Sequence, residues 1–310
     1  MFVGFGLPVS GAWATPDRLG DVAARAERLG YHSLWTFQRL LVGADQRLDP
    51  VYASVLDPLV ALGYAAALTR RVRLGVAVVN LPFVSPVHLA KQAASLDVLS
   101  GGRLDLGLGT GWSPAEFAAT GAEPHRRGAR AEEYLAVLRA LWAGGESEFT
   151  GEFYTVPPSR MRPRPVQRPG PPILLGGSAP AALERAGRAA DGWVTRSAAD
   201  LTTIGDDIAV VRAAAARVGR DPAGVRVVSR GVVRTGPAEP GPDGRRRPLS
   251  GSYEQIRDDV AWLAEQGVTE VFFDLNWDPL IGSPDADPAA AAERAIEIME
   301  ALAPATRPYG

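Results

Sequence analysis

The sequence predicts one α/β domain with the (β/α)8 architecture of a TIM barrel. Short apolar or β-branched runs alternate strictly with longer stretches of helical periodicity, and the chain contains eight such pairs. Its 310 residues fall within the range of one barrel, and with 46% hydrophobic and 22% charged residues it can bury a large core. Because a right-handed crossover places each helix outside its strand, eight consecutive pairs close into a barrel.

The first half of the chain supplies four strand–helix pairs. The first helix is the best defined, because Thr15 suits an N-cap, Pro16 the first helical position and Gly30 the residue after the end. The third strand has hardly any polar side chain, as a parallel strand covered on both faces requires. The predicted strands are residues 2–7, 32–37, 72–79 and 103–108, and the predicted helices are residues 16–29, 53–68, 86–98 and 129–142.

The second half supplies four more pairs after one interruption. Residues 143–171 contain a candidate hairpin at 147–156 and then a segment dense in proline and arginine. No change of composition follows, so this stretch is interpreted as an insertion between the fourth helix and the fifth strand of a single domain, residues 1–310. Residues 235–252 are predicted to form a flexible loop. The predicted strands are residues 172–176, 192–196, 225–233 and 270–275, and the predicted helices are roughly residues 180–190, 200–218, 253–266 and 286–302.

An open, doubly wound sheet is the alternative architecture. Such a sheet usually carries a G-x-G-x-x-G segment after its first strand, where it binds a dinucleotide. Here the first strand leads into Pro8-Val9-Ser10-Gly11, which lacks that spacing. The barrel is therefore preferred.

The composition excludes several kinds of chemistry. Without cysteine the chain has no thiol nucleophile, disulfide, zinc–thiolate site or iron–sulfur cluster, and Lys91 is its only lysine for a Schiff base. The three histidines are not spaced for a metal-binding helix face, so no metal site is predicted. A net charge of −2 disfavours nucleic acid as a partner. With no signal peptide and no membrane-spanning apolar stretch, we expect a cytoplasmic protein that acts on a small molecule.

A glycine-rich loop after the fourth strand is one candidate binding segment. In a barrel the active site lies at the carboxyl ends of the strands. Gly109, Thr110 and Gly111 lie at such an end, and glycine lets the backbone approach a planar or phosphorylated ligand closely. Glycines also serve ordinary tight turns, so the pattern alone leaves both interpretations open.

A second candidate segment joins the fifth strand to its helix. Gly176, Gly177 and Ser178 precede a helix that opens near Pro180. Free backbone N–H groups and the helix dipole make such a junction favourable for an anion, usually a phosphate. An ordinary turn with a serine cap is the alternative.

Two side chains near the same face are candidates for ligand contacts. Trp112 follows the glycine loop, where its ring can stack on a ligand, although aromatic residues in barrels more often serve the core. His125 lies in the loop before a helix, from which it can reach the mouth of the barrel. A solvated loop position is the alternative for His125.

Several stretches of the chain resemble the luciferase-like monooxygenases, a superfamily of flavin and deazaflavin enzymes. The most specific are residues 26–35, 71–112, 151–158 and 171–193, and the run LDVLSGGRLDLGLGTGW is a strong marker of that family. The chain is most similar to the branch that uses coenzyme F-420, a deazaflavin. The resemblance implies a (β/α)8 barrel with the cofactor across its mouth, hydride transfer at C5 of the ring, and a homodimer.

The resemblance also implies which segments contact the cofactor. The ring is supported by a non-prolyl cis peptide on the third strand, the ribityl chain lies beside the glycine loop, and the phosphate is held at the fifth-strand junction. The matching positions are Ala77 and Val78 for the cis peptide, Gly109, Thr110 and Gly111 for the loop, and Gly176, Gly177 and Ser178 for the phosphate.

The sequence departs from that family at the positions expected for acid–base chemistry. Many deazaflavin members have an acidic residue and then histidine after the second strand, and here those positions are Gln38 and Arg39. The sugar-phosphate dehydrogenases of the branch have a glutamate after the glycine loop, and here it is Trp112, which argues against glucose-6-phosphate as substrate. Either the hydride moves without a dedicated side-chain acid or another residue serves, and the candidates are Arg39, Glu116, His125 and Asn276.

Three functions follow from these observations. The leading hypothesis is an oxidoreductase that transfers a hydride between coenzyme F-420 and a small organic substrate. The second is an FMN-dependent monooxygenase of the same fold that uses reduced flavin and oxygen. The third, suggested by the missing acid–base pair, is a flavin-binding homologue without catalysis.

Overall fold

Eight parallel strands close into a barrel, which confirms the predicted fold class. The computed structural model describes residues 1–237, 239–241 and 244–304. Among these the strands are β1 (Phe2–Gly6), β2 (Ser33–Thr36), β3 (Arg73–Asn80), β4 (Leu104–Gly109), β5 (Ser147–Thr150), β6 (Thr155–Ser159), β7 (Ile173–Gly176), β8 (Gly192–Val194), β9 (Arg226–Val232), β10 (Arg234–Thr235), β11 (Ser250–Gly251) and β12 (Glu270–Asp274). The barrel order is β1-β2-β3-β4-β7-β8-β9-β12, with β12 pairing back onto β1.

Helices surround the barrel, and the first of them shows why these residues form a helix. The Thr15 hydroxyl accepts a hydrogen bond from the Arg18 N–H, Pro16 opens the helix and Gly30 closes it at φ 87° in the left-handed region. The helices are α1 (Pro16–Leu29), α2 (Pro58–Leu68), α3 (Pro86–Ser100), α4 (Pro114–Thr120), α5 (Arg127–Ala143), α6 (Pro180–Ala189), α7 (Ile204–Arg217), α8 (Tyr253–Glu265) and α9 (Pro288–Ala301).

The insertion is confirmed as a hairpin between α5 and β7. Strands β5 and β6 pair antiparallel outside the barrel. The sequence did not predict α4, which lies between β4 and α5, nor the short parallel pair β10–β11. Apart from Arg234, that pair lies within the segment predicted to be a flexible loop, residues 235–252. Residues 238, 242 and 243 of this segment lie outside the described part of the chain.

A buried charge network fills the lower end of the barrel, opposite the strand ends where a site is expected. The Asp105 carboxylate receives hydrogen bonds from Arg73 Nε at 2.7 Å and from Arg226 Nη1 at 2.6 Å. Burial alone raises the pKa of Asp105, but the Arg226 and Arg73 guanidinium groups outweigh burial and hold that pKa below its ordinary value. Above this network, Trp35 and Phe272 stack with ring centroids 5.0 Å apart and close the interior.

No helix among residues 1–237, 239–241 and 244–304 has the length and apolar character needed to cross a membrane.

Candidate active site

A cavity of about 250 Å³ opens at the carboxyl ends of the barrel strands. Strand ends β2, β3, β4, β7, β8 and β9 contribute to it, as expected for a barrel of this class. It is lined by Phe37, Gln38, Arg39, Tyr52, Ala77, Val78, Asn80, Gly109, Thr110, Gly111, Trp112, Gly176, Gly177, Ser178, Val194, Thr195, Arg196, Ser197 and Arg230. All eight residues predicted to bind the cofactor are among them.

One wall of this cavity is made of glycine backbone packed around Val78. Strand β3 bulges between Val76 and Val79, and the Ala77–Val78 peptide within the bulge is cis. A Cβ added to Gly109 would lie 2.6 Å from the Val78 side chain, and one added to Gly176 would lie 3.3 Å from it. The glycines therefore let Val78 sit in the wall and keep that side of the cavity flat.

The start of α6 provides backbone donors beside that wall. Its N-cap is Ala179, which has no side chain able to accept a hydrogen bond from the first turn. Gly177 just before it takes a φ of 123°, and its carbonyl accepts a hydrogen bond from the Trp193 indole N–H at 2.8 Å. This leaves a rigid turn whose N–H groups and helix dipole attract an anion. Arg196, an exposed residue of the same lining, adds positive charge.

The opposite side of the cavity is aromatic and carries a buried arginine. The Arg39 guanidinium carbon lies 4.4 Å from the centre of the Tyr52 ring and 4.5 Å from that of Trp112. Both distances are within the range of cation–π attraction. Trp112 is itself 51% exposed, so it forms the rim of the cavity.

Arg39 is paired with a carboxylate that the sequence suggested only as an acid–base candidate. Arg39 Nη1 donates to Glu116 Oε2 at 2.7 Å, and both side chains are almost fully buried, with 3% and 1% exposed. Glu116 Oε1 also accepts a hydrogen bond from the Leu40 N–H at 2.7 Å. Glu116 therefore ties the loop after β2 to α4 and neutralises Arg39, and it does not line the cavity itself.

A second buried arginine supports the bulge of β3. Arg230 pairs with Asp274 at 2.6 Å, and its Nη1 donates to the Ala77 carbonyl at 3.2 Å. Its guanidinium carbon lies 4.7 Å from the Phe37 ring centre. Arg230 thus holds the cis peptide segment in place while its charge is balanced by a carboxylate.

Gln38 is engaged with the backbone of the cavity wall. Its side-chain oxygen accepts hydrogen bonds from the Asn80 backbone N–H at 2.8 Å and from the Asn80 side-chain amide at 3.2 Å. These bonds fix the end of β3 against the loop after β2, which is a positioning role.

Two of the acid–base candidates lie away from the cavity. The His125 side chain is 86% exposed and has Glu123 as its neighbour at 3.9 Å. Asn276 is buried behind the wall, where its side-chain oxygen accepts from the Val9 and Ser10 N–H groups and its amide donates to the Leu7 carbonyl. The structure therefore gives Asn276 a role in holding the loop after β1.

Among the lining residues to which the sequence analysis gave no role, Tyr52, Asn80 and Arg230 make side-chain contacts that shape the cavity. Asn80 and Arg230 carried a usable signal, because each is a polar residue at the end of a barrel strand. Tyr52 carried none, since it lies in a long loop whose path appears only after folding.

Comparison with known proteins identifies the group that this chain resembles. A family model described as luciferase-like monooxygenase matches residues 2–240. An uncharacterised protein of Mycobacterium tuberculosis is 36% identical over 246 residues, covering 78% of this chain and 76% of that protein. The oxygenase component of a flavin-dependent trigonelline monooxygenase from Acinetobacter baylyi is 32% identical over 166 residues, covering 53% of this chain and 44% of that protein.

Solved structures share the fold over nearly the whole chain. The monooxygenase RslO1 from Streptomyces bottropensis superposes with a TM-score of 0.77 at 25% identity, covering 97% of this chain and 98% of that one. An F420-dependent secondary alcohol dehydrogenase, solved with an F420–acetone adduct, gives a TM-score of 0.75 at 18% identity with the same coverage.

Proposed function

The chain belongs to the luciferase-like monooxygenase family, and from that premise we propose that it is an oxidoreductase that transfers a hydride between coenzyme F-420 and a small organic substrate. The observation that carries the proposal is the chemical content of the cavity. Among its lining residues there is no aspartate, glutamate, histidine, lysine or cysteine. Side chains of this kind hold and orient a ligand, so the reactive group has to be supplied by a cofactor.

The residues present fit a phosphorylated deazaflavin. Gly109 and Gly176 present backbone without side chains to the cavity and pack closely against Val78, so this wall can receive a planar ring. The turn at Gly177 and Ser178 offers backbone donors to a phosphate. When bound, the deazaflavin supplies the ring carbon that gives or accepts the hydride.

Other residues of the chain position the walls that would orient the ligands. Arg230 and Gln38 fix the two ends of the β3 bulge, and Glu116 fixes Arg39 against the rings of Tyr52 and Trp112. Rigid positioning of this kind is how a site without acid–base residues contributes to rate.

A second cavity supports F-420 over a shorter cofactor. It has a volume of about 470 Å³ and shares Ser197 and Arg230 with the first. Its lining includes Arg246 and Arg247 from the segment before β11. The tail of F-420 carries several carboxylates, and this cavity offers it space and the Arg247 guanidinium. Arg246 is already paired with Asp259, and Asp200 also lines the cavity.

The test is a pair of cofactor titrations. Purified protein is titrated with F-420 and separately with FMN, and quenching of the ligand fluorescence is followed. We expect F-420 to bind at least about tenfold more tightly than FMN. Binding of FMN with none of F-420 would overturn the proposal.

A glycine variant tests the phosphate assignment within the same assay. Gly177→Val should weaken F-420 binding by about tenfold or more, because the new side chain fills the turn that receives the phosphate. Gly219→Val is the matched control, since Gly219 also has a positive φ, of 74°, but lies after α7 with open space around it. Equal F-420 affinity of both variants and the wild type would refute the assignment.

An FMN-dependent monooxygenase is the second candidate. It is favoured by a relative with a named activity, because the Acinetobacter baylyi protein that shares 32% identity is a flavin-dependent monooxygenase. This alternative predicts that the reduced protein–cofactor complex consumes oxygen in proportion to the substrate oxidised. The F-420 proposal predicts oxidation of the reduced cofactor by an organic acceptor under anaerobic conditions.

We further propose a homodimer that forms through the outer face of α2. This helix is apolar on all sides, and Val60, Tyr64 and Leu68 recur every fourth residue with 72%, 43% and 46% of their surface exposed. A helix that is apolar on every side is normally buried. A second copy of the same face would cover these side chains.

A further inference from the structure

Arg39 stands out because it is buried, lines the cavity and has hydrogen-bond donors to spare. Its Nη1 donates to Glu116, which is its one hydrogen bond among the described residues. Its Nε is buried and has no hydrogen-bond partner in the part of the chain that the structure describes. A guanidinium has five N–H donors, and unsatisfied buried donors are costly. This arrangement indicates that a ligand in the cavity supplies an acceptor to Arg39.

The charge around Arg39 decides what kind of acceptor fits. The Glu116 carboxylate lies 2.7 Å from Arg39 and is itself almost fully buried, so the pair is neutral as a unit. The other buried guanidinium of the lining, Arg230, is neutralised in the same way by Asp274. An anion placed beside Arg39 would lose its hydration and meet no net positive charge. An uncharged oxygen acceptor meets the donors without that cost.

The shape and chemistry of the surrounding wall further limit the chemical class of the substrate. Phe37, Tyr52 and Trp112 line the cavity on the Arg39 side, and their rings favour a flat, conjugated ligand. An alcohol or amine substrate would need a base to take its proton. Among the lining residues none of the usual bases, a carboxylate, imidazole or amine, is present. A conjugated carbonyl compound avoids this need, because it accepts the hydride at its β-carbon to give an enolate. Arg39 can donate a hydrogen bond to the enolate oxygen, and the carbon next to the carbonyl takes its proton from water.

We propose that the substrate is a flat, uncharged, conjugated carbonyl compound whose oxygen accepts a hydrogen bond from Arg39. The inference deepens the proposed function and rests on it. It assigns the space beside the glycine wall to the cofactor and the space beside the aromatic wall to the substrate. Glu116 is the positioning residue, which holds Arg39 between Tyr52 and Trp112 and cancels its charge.

Calorimetric titration with a set of probe compounds tests the proposed substrate class by binding alone, without relying on turnover. The cofactor is loaded first, and its own titration reports on the proposed function separately. Coumarin is the flat, uncharged carbonyl probe, coumarin-3-carboxylate its anionic counterpart, octahydrocoumarin its saturated counterpart, and naphthalene a flat probe without a carbonyl. We expect coumarin to bind at least about tenfold more tightly than each of the other three.

A charge-balanced double variant tests the role of Arg39. Arg39→Met with Glu116→Gln removes the donor without leaving a buried charge, and it should weaken coumarin about tenfold while leaving naphthalene unchanged. The matched control is Arg25→Met with Glu300→Gln, because that pair has the same 2.7 Å separation but lies on the surface. A cooperative thermal unfolding transition of the loaded double variant shows that it is folded. If it is not, Arg39→Leu with Glu116→Met, which also leaves no buried charge, gives the same comparison.

Each outcome decides the proposal. Equal coumarin affinity of the double variant and the wild type would exclude Arg39 as the donor. Tighter binding of coumarin-3-carboxylate than of coumarin would exclude an uncharged substrate, and equal binding of octahydrocoumarin would exclude a flat one. If FMN loads and F-420 does not, the cofactor proposal fails, and the same probe titrations on FMN-loaded protein still decide the substrate class.

Discussion

Replacing Glu116 with glutamine should destabilise the barrel far more than the loss of an ordinary ion pair. Both members of the Arg39–Glu116 pair are buried, with 3% and 1% of their side chains exposed. Removing one partner of such a pair leaves an uncompensated buried charge, which costs about 3–5 kcal/mol. Glutamine keeps the shape and an oxygen for the Leu40 N–H, so we place Glu116→Gln at the lower end, about 3 kcal/mol.

The comparison pair is Arg25 with Glu300 on the surface. Its separation is the same 2.7 Å, but Glu300 is 52% exposed. Exposed pairs contribute about 0–1 kcal/mol, so Glu300→Gln should change the free energy of unfolding by less than about 1 kcal/mol. The two substitutions make the same chemical change and differ in burial.

The measurement is urea unfolding of both variants, followed by far-UV circular dichroism and by tryptophan fluorescence. Coincident transitions and an unchanged m value indicate that the midpoint shift reports stability. Adding Arg39→Met to Glu116→Gln should recover most of the loss, because replacing a whole buried pair is often close to neutral. A cost for Glu116→Gln no larger than that for Glu300→Gln would refute the argument that this pair is shielded from water.

The other predictions concern acid stability, packing and assembly. Because the pKa of Asp105 is lowered in the folded state, its contribution is complete above its unfolded value of about 3.9 and is lost as the pH falls through the folded value. Asp105→Asn should therefore lower the free energy of unfolding at neutral pH and make that free energy depend less on pH in acid. If the dependence on pH stayed the same, the ion pairs of Asp105 would not contribute to stability. Gly107→Ala should destabilise by about 1–3 kcal/mol, since the added Cβ would lie 2.0 Å from the Val76 carbonyl oxygen, and a neutral result would show that β3 and β4 shift apart freely. Val60→Lys with Tyr64→Glu should convert a dimer to a monomer in sedimentation velocity, and a dimer that persists would place the interface elsewhere.

Local signals in the sequence predicted most of the helices and strands. They did not predict the contacts that form only when the barrel closes. Residues 16–29 are a helix with the predicted bounds because Thr15, Pro16 and Gly30 act within one turn of its ends. Helix α4 carries comparable signals, with Pro114 at its start and a left-handed Gly121 after its end. It was missed because a helix of seven residues is too short to show a clear apolar periodicity.

The same distinction between local signals and contacts made on closure applies to the candidate site. Its glycine wall was predictable, because glycine at a strand end has a local reason to be there. The pairing of Arg39 with Glu116 joins residues 77 positions apart, and that of Arg230 with Asp274 joins residues 44 apart. Neither pairing follows from spacing, since both depend on which loops meet when the barrel closes.

The distribution of charge around the mouth separates the two ligands that the site is proposed to hold. Arg39 and Arg230 each face a buried carboxylate, so they offer donors without net charge. Arg196 has no such carboxylate among its contacts in the described part of the chain, and it follows β8, which pairs with β7, the strand that leads into α6. Positive potential is therefore concentrated where a phosphate would be held, and the aromatic side remains neutral. An anionic cofactor and an uncharged substrate would each be drawn to one side, which sets their relative orientation before any side chain acts on the reacting atoms.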